Sequence, residues 1–286
     1  MPIQRDAING GHYAQKQLLS RDKLVAWSHA RRFATALTLA RSFSNKHILD
    51  YGSGDGTFLA LAMMADSPPA AAVGAELLDT MIDECRARYS PEPRLSFVRV
   101  ASLDSPEHAN RYDAVFCMEV LEHVFNWEPE LARMSRLLTP GGTLIVSVPV
   151  ETGVPVLVKQ VVRTIAGWRK IGHYPGSTSY SWSELASAVL AGRTQHVKRP
   201  IFDFGWGPAH DHKGFNWRVL HERLKQQFDV TDVVASPYSW LGPGLATQVW
   251  FIARLPAEAA PAADVGLRKP ASVGASSRRH GGAGPL

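Results

Sequence analysis

Three glycines at alternating positions follow an acidic residue and precede an apolar segment. Asp50 is followed by Gly52, Gly54 and Gly56, and residues 57–64 have the composition of a helix. Without a Cβ atom, a residue lets the backbone turn tightly and lets a ligand approach it closely. The free N–H groups and the positive dipole end of the following helix favour a polar or anionic ligand group at the same point. The stretch therefore predicts a ligand-binding loop between a strand and a helix.

A second group of residues with acid–base chemistry consists of Glu119, Glu122 and His123. In a helix these side chains would share one face, since they stand at i, i+3 and i+4. A histidine with a pKa near neutrality could accept a proton from a reacting group. Alternatively, the two carboxylates only orient the loop by hydrogen bonds, or the three residues hold Mg²⁺ or another divalent ion, with a further ligand from residues 210–212.

The elements that must position these residues are strands and helices in alternation. A buried strand at 47–51 leads into the glycine loop, and an apolar strand at 112–117 leads into the Glu/His group. A helix with an apolar face is predicted at 14–41, with a break near residues 20–22. The other predictions are strands at 72–76, 95–100, 143–148, 229–235 and 246–255, helices at 77–89, 128–138, 154–168, 183–190 and 217–228, and irregular structure at 1–10 and 201–212.

The glycine spacing distinguishes two kinds of nucleotide-binding loop. Dinucleotide folds use G-x-G-x-x-G, whereas this chain has G-x-G-x-G with Asp50 two residues ahead. That pattern resembles motif I of the class I S-adenosylmethionine (SAM)-dependent methyltransferases. The stretch E-V-L-E-H-V at 119–124 and the block L-L-T-P-G-G at 137–142 are similar to features of the same family, above all its quinone-biosynthesis and related small-molecule members. The similar motifs extend from Asp50 to Leu255, about seven-tenths of the chain.

The resemblance implies an α/β fold, with a doubly wound seven-stranded sheet of order 3-2-1-4-5-7-6. Its seventh strand would be antiparallel, N-terminal helices would precede it, and a helical insertion would follow strand five. We expect residues 1–45 to lie over the active site as a helical segment. Residues 46–255 would form the SAM-binding domain, with a lid at about 151–212. Residues 256–286, rich in Ala, Pro, Gly and Ser, are predicted to be a disordered tail.

The resemblance also implies the cofactor and its contacts. Asp50 and the loop backbone would hold the methionine end of SAM, Glu76 would accept hydrogen bonds from the ribose diol, and Asp104 would face the adenine amino group. Each acid also has a structural interpretation, Glu76 as a carboxylate at a helix start and Asp104 as the cap of a turn. The full set of predicted cofactor contacts is Asp50, Gly52, Ser53, Gly54, Gly56, Glu76, Leu77, Asp104, Met118 and Glu119.

Transfer of the methyl group to an acceptor would be assisted by His123 and Glu119, which we predict to be catalytic. Tyr13, His173, Tyr174 and His212 are predicted to contact the acceptor, and no metal is assigned to the site. We expect the acceptor to be a small molecule that is methylated on oxygen. Three other functions stay open: an RNA 2′-O-methyltransferase that uses the Glu/His group with a divalent metal, a non-catalytic partner protein of the same fold, and a nucleotide-dependent oxidoreductase.

The distribution of charge indicates the kind of partner. Residues 1–46 carry eight basic and two acidic residues and residues 155–200 carry seven and one, whereas residues 47–150 carry seven and fifteen. This pattern suits a cationic cofactor and an anionic acceptor, such as a phosphorylated or carboxylated sugar, lipid or quinone precursor. It indicates no DNA partner and makes an RNA partner disfavoured, because no known RNA-binding motif accompanies the basic residues. The basic, apolar helix at 154–168 is also compatible with peripheral contact to a membrane.

The remaining composition indicates a cytoplasmic protein. Two cysteines give neither a disulfide framework nor a metal-ligand pattern. We expect no signal peptide, because the first nine residues lack an apolar region. No apolar run is long enough to predict a membrane span. The sequence does not indicate the oligomeric state.

Overall fold

A computed structural model of the chain describes residues 3–168, 180–203 and 207–257. Its centre is a seven-stranded sheet of order β3-β2-β1-β4-β5-β9-β8. The strands are β1 (His47–Tyr51), β2 (Ala71–Glu76), β3 (Leu95–Arg99), β4 (Tyr112–Met118), β5 (Leu138–Pro149), β8 (Asp229–Ser236) and β9 (Gln248–Arg254), and a separate two-stranded sheet pairs β6 (Ile201–Asp203) with β7 (Pro208–His210).

The sheet has the predicted topology. β1, β2, β3, β4 and β5 are parallel, and β9 is antiparallel to both of its neighbours. Counted within this sheet alone, the order is 3-2-1-4-5-7-6, as expected. The inner strands are nearly continuous runs of buried apolar residues, because helices cover both faces.

Helices on the two faces make the fold doubly wound. One core cluster joins α2 and α3 to one face of the sheet, and the other joins α5 and α8 to the opposite face. The helices are α1 (Arg5–Asn9), α2 (Lys23–Ala40), α3 (Thr57–Met63), α4 (Asp79–Arg88), α5 (Trp127–Leu137), α6 (Val154–Trp168), α7 (Trp182–Val189) and α8 (Trp217–Leu224). The glycine loop and the Glu/His group therefore meet at the carboxyl edge of the parallel strands, where open α/β sheets bind ligands.

Two expectations about local structure were wrong, and the condition for a shared Glu/His helix face is not met. Residues 5–9 form a helix rather than irregular structure, because Ile3 and Ile8 are buried in the core. Residues 201–210 contain the β6–β7 pair, although their aromatic and glycine content indicated no regular element. Residues 119–123 form a turn instead of a helix, with Glu119 in the left-handed region at φ 57°. The three acid–base residues consequently do not share a helix face.

The N-terminal break and the insertion were predicted well. A π-helical turn at Ala14–Leu18 ends before α2 begins at Lys23. The insertion after β5 contains α6, at the predicted residues, and α7, which begins one residue before the predicted start. The predicted tail, except for residues 256 and 257, lies outside the described residues. Among the helices that the structure describes, none combines the length and the apolar character needed to cross a bilayer.

Candidate active site

The glycine loop is closely packed on both sides. Gly52 has φ +82°, and a Cβ there would lie 2.4 Å from Cγ2 of Val120. Gly56 has φ +74°, and a Cβ there would lie 2.7 Å from the ring of Phe97. Both positions therefore require glycine, by conformation and by space. The loop ends where α3 begins, so the helix presents its first N–H groups and its positive dipole end to the same region.

Buried polar atoms beside the loop that have no hydrogen-bond partner among the described residues include Oδ1 of Asp50 and Oγ of Ser53. Asp50 is only 2% exposed. Burial, together with the negative charge of Glu76, raises the pKa of Asp50 to about 8. A buried carboxyl without a donor costs free energy unless a ligand supplies one. These atoms fit a ligand that carries an ammonium group, as the methionine end of SAM does.

Glu76 connects the tip of β2 to the glycine loop. Its Oε2 accepts a hydrogen bond from the Gly54 N–H at 2.9 Å, and its Oε1 accepts one from the Leu77 N–H at 2.7 Å. The carboxylate therefore lies at the loop, where it was predicted to bind a ribose diol. The side chain of Leu77 is exposed at the same edge. Met118 ends β4, which is separated from β2 by β1 in the sheet.

The N-terminal segment is fastened to the loop through a residue that the sequence analysis missed. Oδ2 of Asp55 accepts hydrogen bonds from the N–H groups of Tyr13 and Ala14, at 2.8 and 3.0 Å. The ring of Tyr13 lies 3.1 Å from the position of a Cβ on Gly54, so the ring covers the loop. The only available signal for Asp55 was its place between two of the loop glycines.

Glu119 is held in place by three elements that are distant in sequence. Its Oε1 accepts hydrogen bonds from Ser147 Oγ at 3.1 Å and Gln248 Nε2 at 2.7 Å, and its Oε2 lies 3.8 Å from the guanidinium of Arg32. Burial opposes ionisation of Glu119, but the charges of Arg32 and His212 and the two donors outweigh it and lower its pKa. No local motif identified Ser147, Gln248 or Arg32, because β5, β9 and α2 converge only in the fold.

The structure brings the side chains of Glu122 and His123 together with that of His212. Glu119, at the start of the same turn, is instead held by Ser147, Gln248 and Arg32. Nε2 of His123 lies 3.2 Å from Nε2 of His212, which in turn lies 3.8 Å from Oε1 of Glu122. The side chain of Glu122 is fully buried, and neither of its carboxylate oxygens has a hydrogen-bond partner among the described residues. One donor atom from each of these three residues lies within 4.8 Å of the others, which is the geometry of a possible metal centre.

The protonation of this cluster follows from its surroundings. Burial and the negative charge of Glu119 raise the pKa of Glu122 well above its usual range. Burial lowers the pKa of His123, and electrostatic repulsion from His212 lowers it further, so the imidazole of His123 is neutral at pH 7. Nδ1 of His123 donates to the backbone oxygen of His210 at 2.8 Å. This tautomer leaves the Nε2 lone pair directed towards His212.

A cavity of about 250 Å³ lies beside the cluster, between the starts of α5 and α8. Its lining includes Phe125, Phe215 and Arg199. The Arg199 guanidinium lies 5.1 Å from the centre of the Phe215 ring and donates to the backbone oxygens of Glu122 and Asp211. Arg223 and Glu128, which form an ion pair at 2.8 Å, also line the cavity. An aromatic cavity that contains guanidinium groups is suited to a flat or anionic group.

Three predicted contacts are not brought to this site by the described structure. Asp104 forms ion pairs with Arg133 at 3.0 Å and Arg136 at 2.7 Å, and these arginines lower its pKa. Its carboxylate is thus directed to α5, and contact with adenine stays a prediction. His173 and Tyr174 lie outside the described residues.

Comparison with known proteins identifies the family of the chain. Residues 26–191 match the family model described as a methyltransferase domain. A SAM-dependent methyltransferase from Mesorhizobium loti has the same fold, with a TM-score of 0.51 and 14% identity over 78% of this chain and 97% of that chain. The chain therefore belongs to the methyltransferase domain family, and its family and fold imply SAM as the cofactor.

Curated relatives match over a shorter segment. The demethylmenaquinone methyltransferase of Deinococcus radiodurans is 31% identical over 116 residues, which are 40% of this chain and 47% of the relative. The ubiquinone biosynthesis O-methyltransferase of Coxiella burnetii is 28% identical over 112 residues, 37% of this chain and 44% of the relative. The chain thus spans less than half the length of either of these relatives.

Proposed function

We propose that the protein transfers the methyl group of SAM to a small-molecule acceptor bound at the tip of β4. The observation that carries this proposal is a buried carboxyl oxygen of Asp50 that has no hydrogen-bond partner among the described residues, beside a glycine loop that has no space for side chains. Asp50, Ser53 and the loop N–H groups would hold the amino-acid part of SAM. Glu76 and Leu77 would contact its nucleoside. Tyr13 would cover the bound cofactor, because its backbone is fixed by Asp55.

The cofactor supplies an electrophilic methyl group on a sulfonium, so the protein must mainly position the acceptor and receive its proton. Nε2 of His123 is suited to receive that proton, since His123 is neutral and its tautomer is set by the His210 carbonyl. Glu119 would shape this end of the site through Arg32 and Gln248. If the hydroxyl of an acceptor lies beside His123, the rest of the acceptor molecule would extend towards His212.

We further propose that the acceptor is methylated on oxygen and carries an anionic group. Support for oxygen comes from the neutral His123, because hydroxyl acceptors need a base more than amines do. Support for an anionic group comes from Arg199 in the adjacent cavity and from the basic residues before residue 47 and after residue 154. Comparing turnover of a neutral phenol with that of a matched hydroxybenzoate tests the anionic group, and equal turnover contradicts it.

The decisive experiment is calorimetric titration of the purified protein with S-adenosylhomocysteine, the product of the cofactor. We expect micromolar binding that is lost in Gly54→Arg, because a side chain there meets the Tyr13 ring. Gly192→Arg is the matched control, since a Cβ at Gly192 meets no atom of the described residues within 4 Å. The proposal fails if the folded wild-type protein does not bind, or if both variants bind equally.

A second mechanism is favoured by one observation. The buried carboxylate of Glu122, beside His123 and His212, has no hydrogen-bond partner within the part of the chain that the structure describes. One carboxylate and two imidazoles would suit a divalent cation such as Zn²⁺ or Mn²⁺. In that case His123 is a metal ligand and not the base. Methyl transfer that survives EDTA supports the base, whereas loss with EDTA and recovery with one added metal supports the cation. The RNA 2′-O-methyltransferase and non-catalytic alternatives gain no support from the family match.

A further inference from the structure

α6 buries Pro155 and Val156 against the domain, but it also exposes a second set of apolar side chains. Four apolar side chains at i, i+3, i+4 and i+7 form one exposed stripe: Val154, Leu157, Val158 and Val161. The charged Lys159 instead faces the domain, where its Nζ donates to Glu151 Oε1 at 2.7 Å and to the backbone oxygen of Val150 at 2.9 Å. Helices normally bury such a stripe. A contiguous exposed apolar stripe indicates an interaction surface.

Two neighbouring elements extend this surface. α7 exposes Trp182 by 88% and Leu190 by 77%. It lies beside the start of α6, because the N–H of Gly153, directly before α6, donates to the backbone oxygen of Ala188. The segment between β8 and β9 exposes Trp240 by 80% and contacts α6 through a hydrogen bond from Lys159 to the Thr247 oxygen. We call the following set the apolar rim: Val154, Leu157, Val158, Val161, Trp182, Leu190, Tyr238, Trp240 and Leu245.

Basic residues flank the apolar rim. The ring of Tyr238 lies between two tryptophans. Its centre is 6.2 Å from that of Trp240 and 5.8 Å from that of Trp27 in α2. Lys23 and Arg31 stand four residues to either side of Trp27, so they lie on the same face of α2, and both are exposed. On the other side, Arg193 and Lys198 are exposed in the segment that follows α7. Exposed tryptophans, aliphatic side chains and cations are the combination found at membrane interfaces.

We propose that the apolar rim docks onto the surface of an anionic lipid bilayer, so that the protein takes an amphiphilic acceptor from the membrane. The acceptor part of this inference rests on the proposed methyl transfer, but the docking does not. The charges favour a bilayer over a second copy of the chain. A symmetric dimer on this surface would bring one protomer's basic residues close to those of its partner, whereas anionic headgroups attract them.

Co-sedimentation with vesicles of phosphatidylcholine, with and without phosphatidylglycerol, tests the docking. We expect wild-type protein to sediment with the anionic vesicles, more weakly at 500 mM salt, and at least tenfold more weakly with neutral ones. Val158→Asp and Trp240→Ser, on separate elements, should each lower binding at least tenfold. Met64→Asp is the matched control, since Met64 is an exposed apolar residue at the far end of α3, away from the rim.

Either of two results overturns the proposal: wild-type protein that stays in the supernatant, or variants that bind as the wild type does. Sedimentation velocity adds a third, a wild-type dimer that Val158→Asp dissociates, which would make the rim a contact between copies. Calorimetric binding of S-adenosylhomocysteine to Val158→Asp keeps the two proposals apart. Wild-type protein that binds the vesicles but not S-adenosylhomocysteine would retain the docking and refute the proposed methyl transfer.

Discussion

Replacement of Asp50 by asparagine should remove a pH dependence of cofactor binding. In the structure, burial and Glu76 raise the pKa of Asp50 to about 8, so the carboxyl is mostly protonated at neutral pH in the absence of ligand. An ammonium group binds the ionised form. Binding of S-adenosylhomocysteine must therefore expel the proton, and the observed affinity should follow the ionised fraction.

The size of the effect follows from this pKa. The ionised fraction is about 1% at pH 6 and about 50% at pH 8, so affinity should rise about fiftyfold over these two units, or about 2.3 kcal/mol. At pH 7 each binding event should release nearly one proton, which calorimetry in buffers of different ionisation enthalpy detects. Asp50→Asn carries no titrating group, so its weaker binding should be independent of pH.

The same pKa has a consequence for stability. Because the folded pKa lies above that of a free carboxyl, the ligand-free folded protein retains a proton that the unfolded chain releases. The contribution of Asp50 to the free energy of unfolding is therefore largest below about pH 4 and falls by up to about 1.4 kcal/mol per unit as pH rises towards 8. S-adenosylhomocysteine should raise the melting temperature more at pH 8 than at pH 6. A flat affinity profile, or an equal slope in Asp50→Asn, refutes the reasoning.

Three other replacements test separate parts of the site. Asp55→Ala removes the two hydrogen bonds to the Tyr13 segment, so S-adenosylhomocysteine should bind about tenfold more weakly, by calorimetry, while Asp55→Asn retains part of the affinity. His123→Gln should lower kcat at least a hundredfold with little change in cofactor affinity, and an unchanged kcat would exclude it as a base. Asp104→Asn should lower the melting temperature at pH 7 and change it less at pH 3. The reason is that the arginines lower the pKa of Asp104, so the stabilisation that its carboxylate provides is lost as pH falls. A large loss of cofactor affinity would instead indicate the predicted adenine contact.

Local motifs predicted the fold well because each motif lies at the end of a strand, or directly after it, in the sequence. The glycine loop directly follows β1, Glu76 ends β2, and Met118 ends β4, so their positions in the chain determine which edge of the sheet they occupy. The strand order was also predictable, but only through the resemblance. Periodicity located α6 at the right residues but did not indicate which face it exposes, since an apolar stripe ordinarily faces the core.

The rest of the site could not be predicted because it depends on contacts between distant segments. Arg32, Ser147 and Gln248 surround Glu119 from three elements, and none of them stands in a recognisable pattern. The left-handed backbone of Glu119 and the turn that follows give Glu119 and Glu122 different hydrogen-bond surroundings, whereas a helix would have placed them on one face. As a result, the acid–base cluster is formed by a different partner, His212, nearly ninety residues away. The same loop thus directs Glu119 to α2 and β9 and leaves Glu122 buried beside two histidines, which is why cofactor binding and acceptor activation should respond to different replacements.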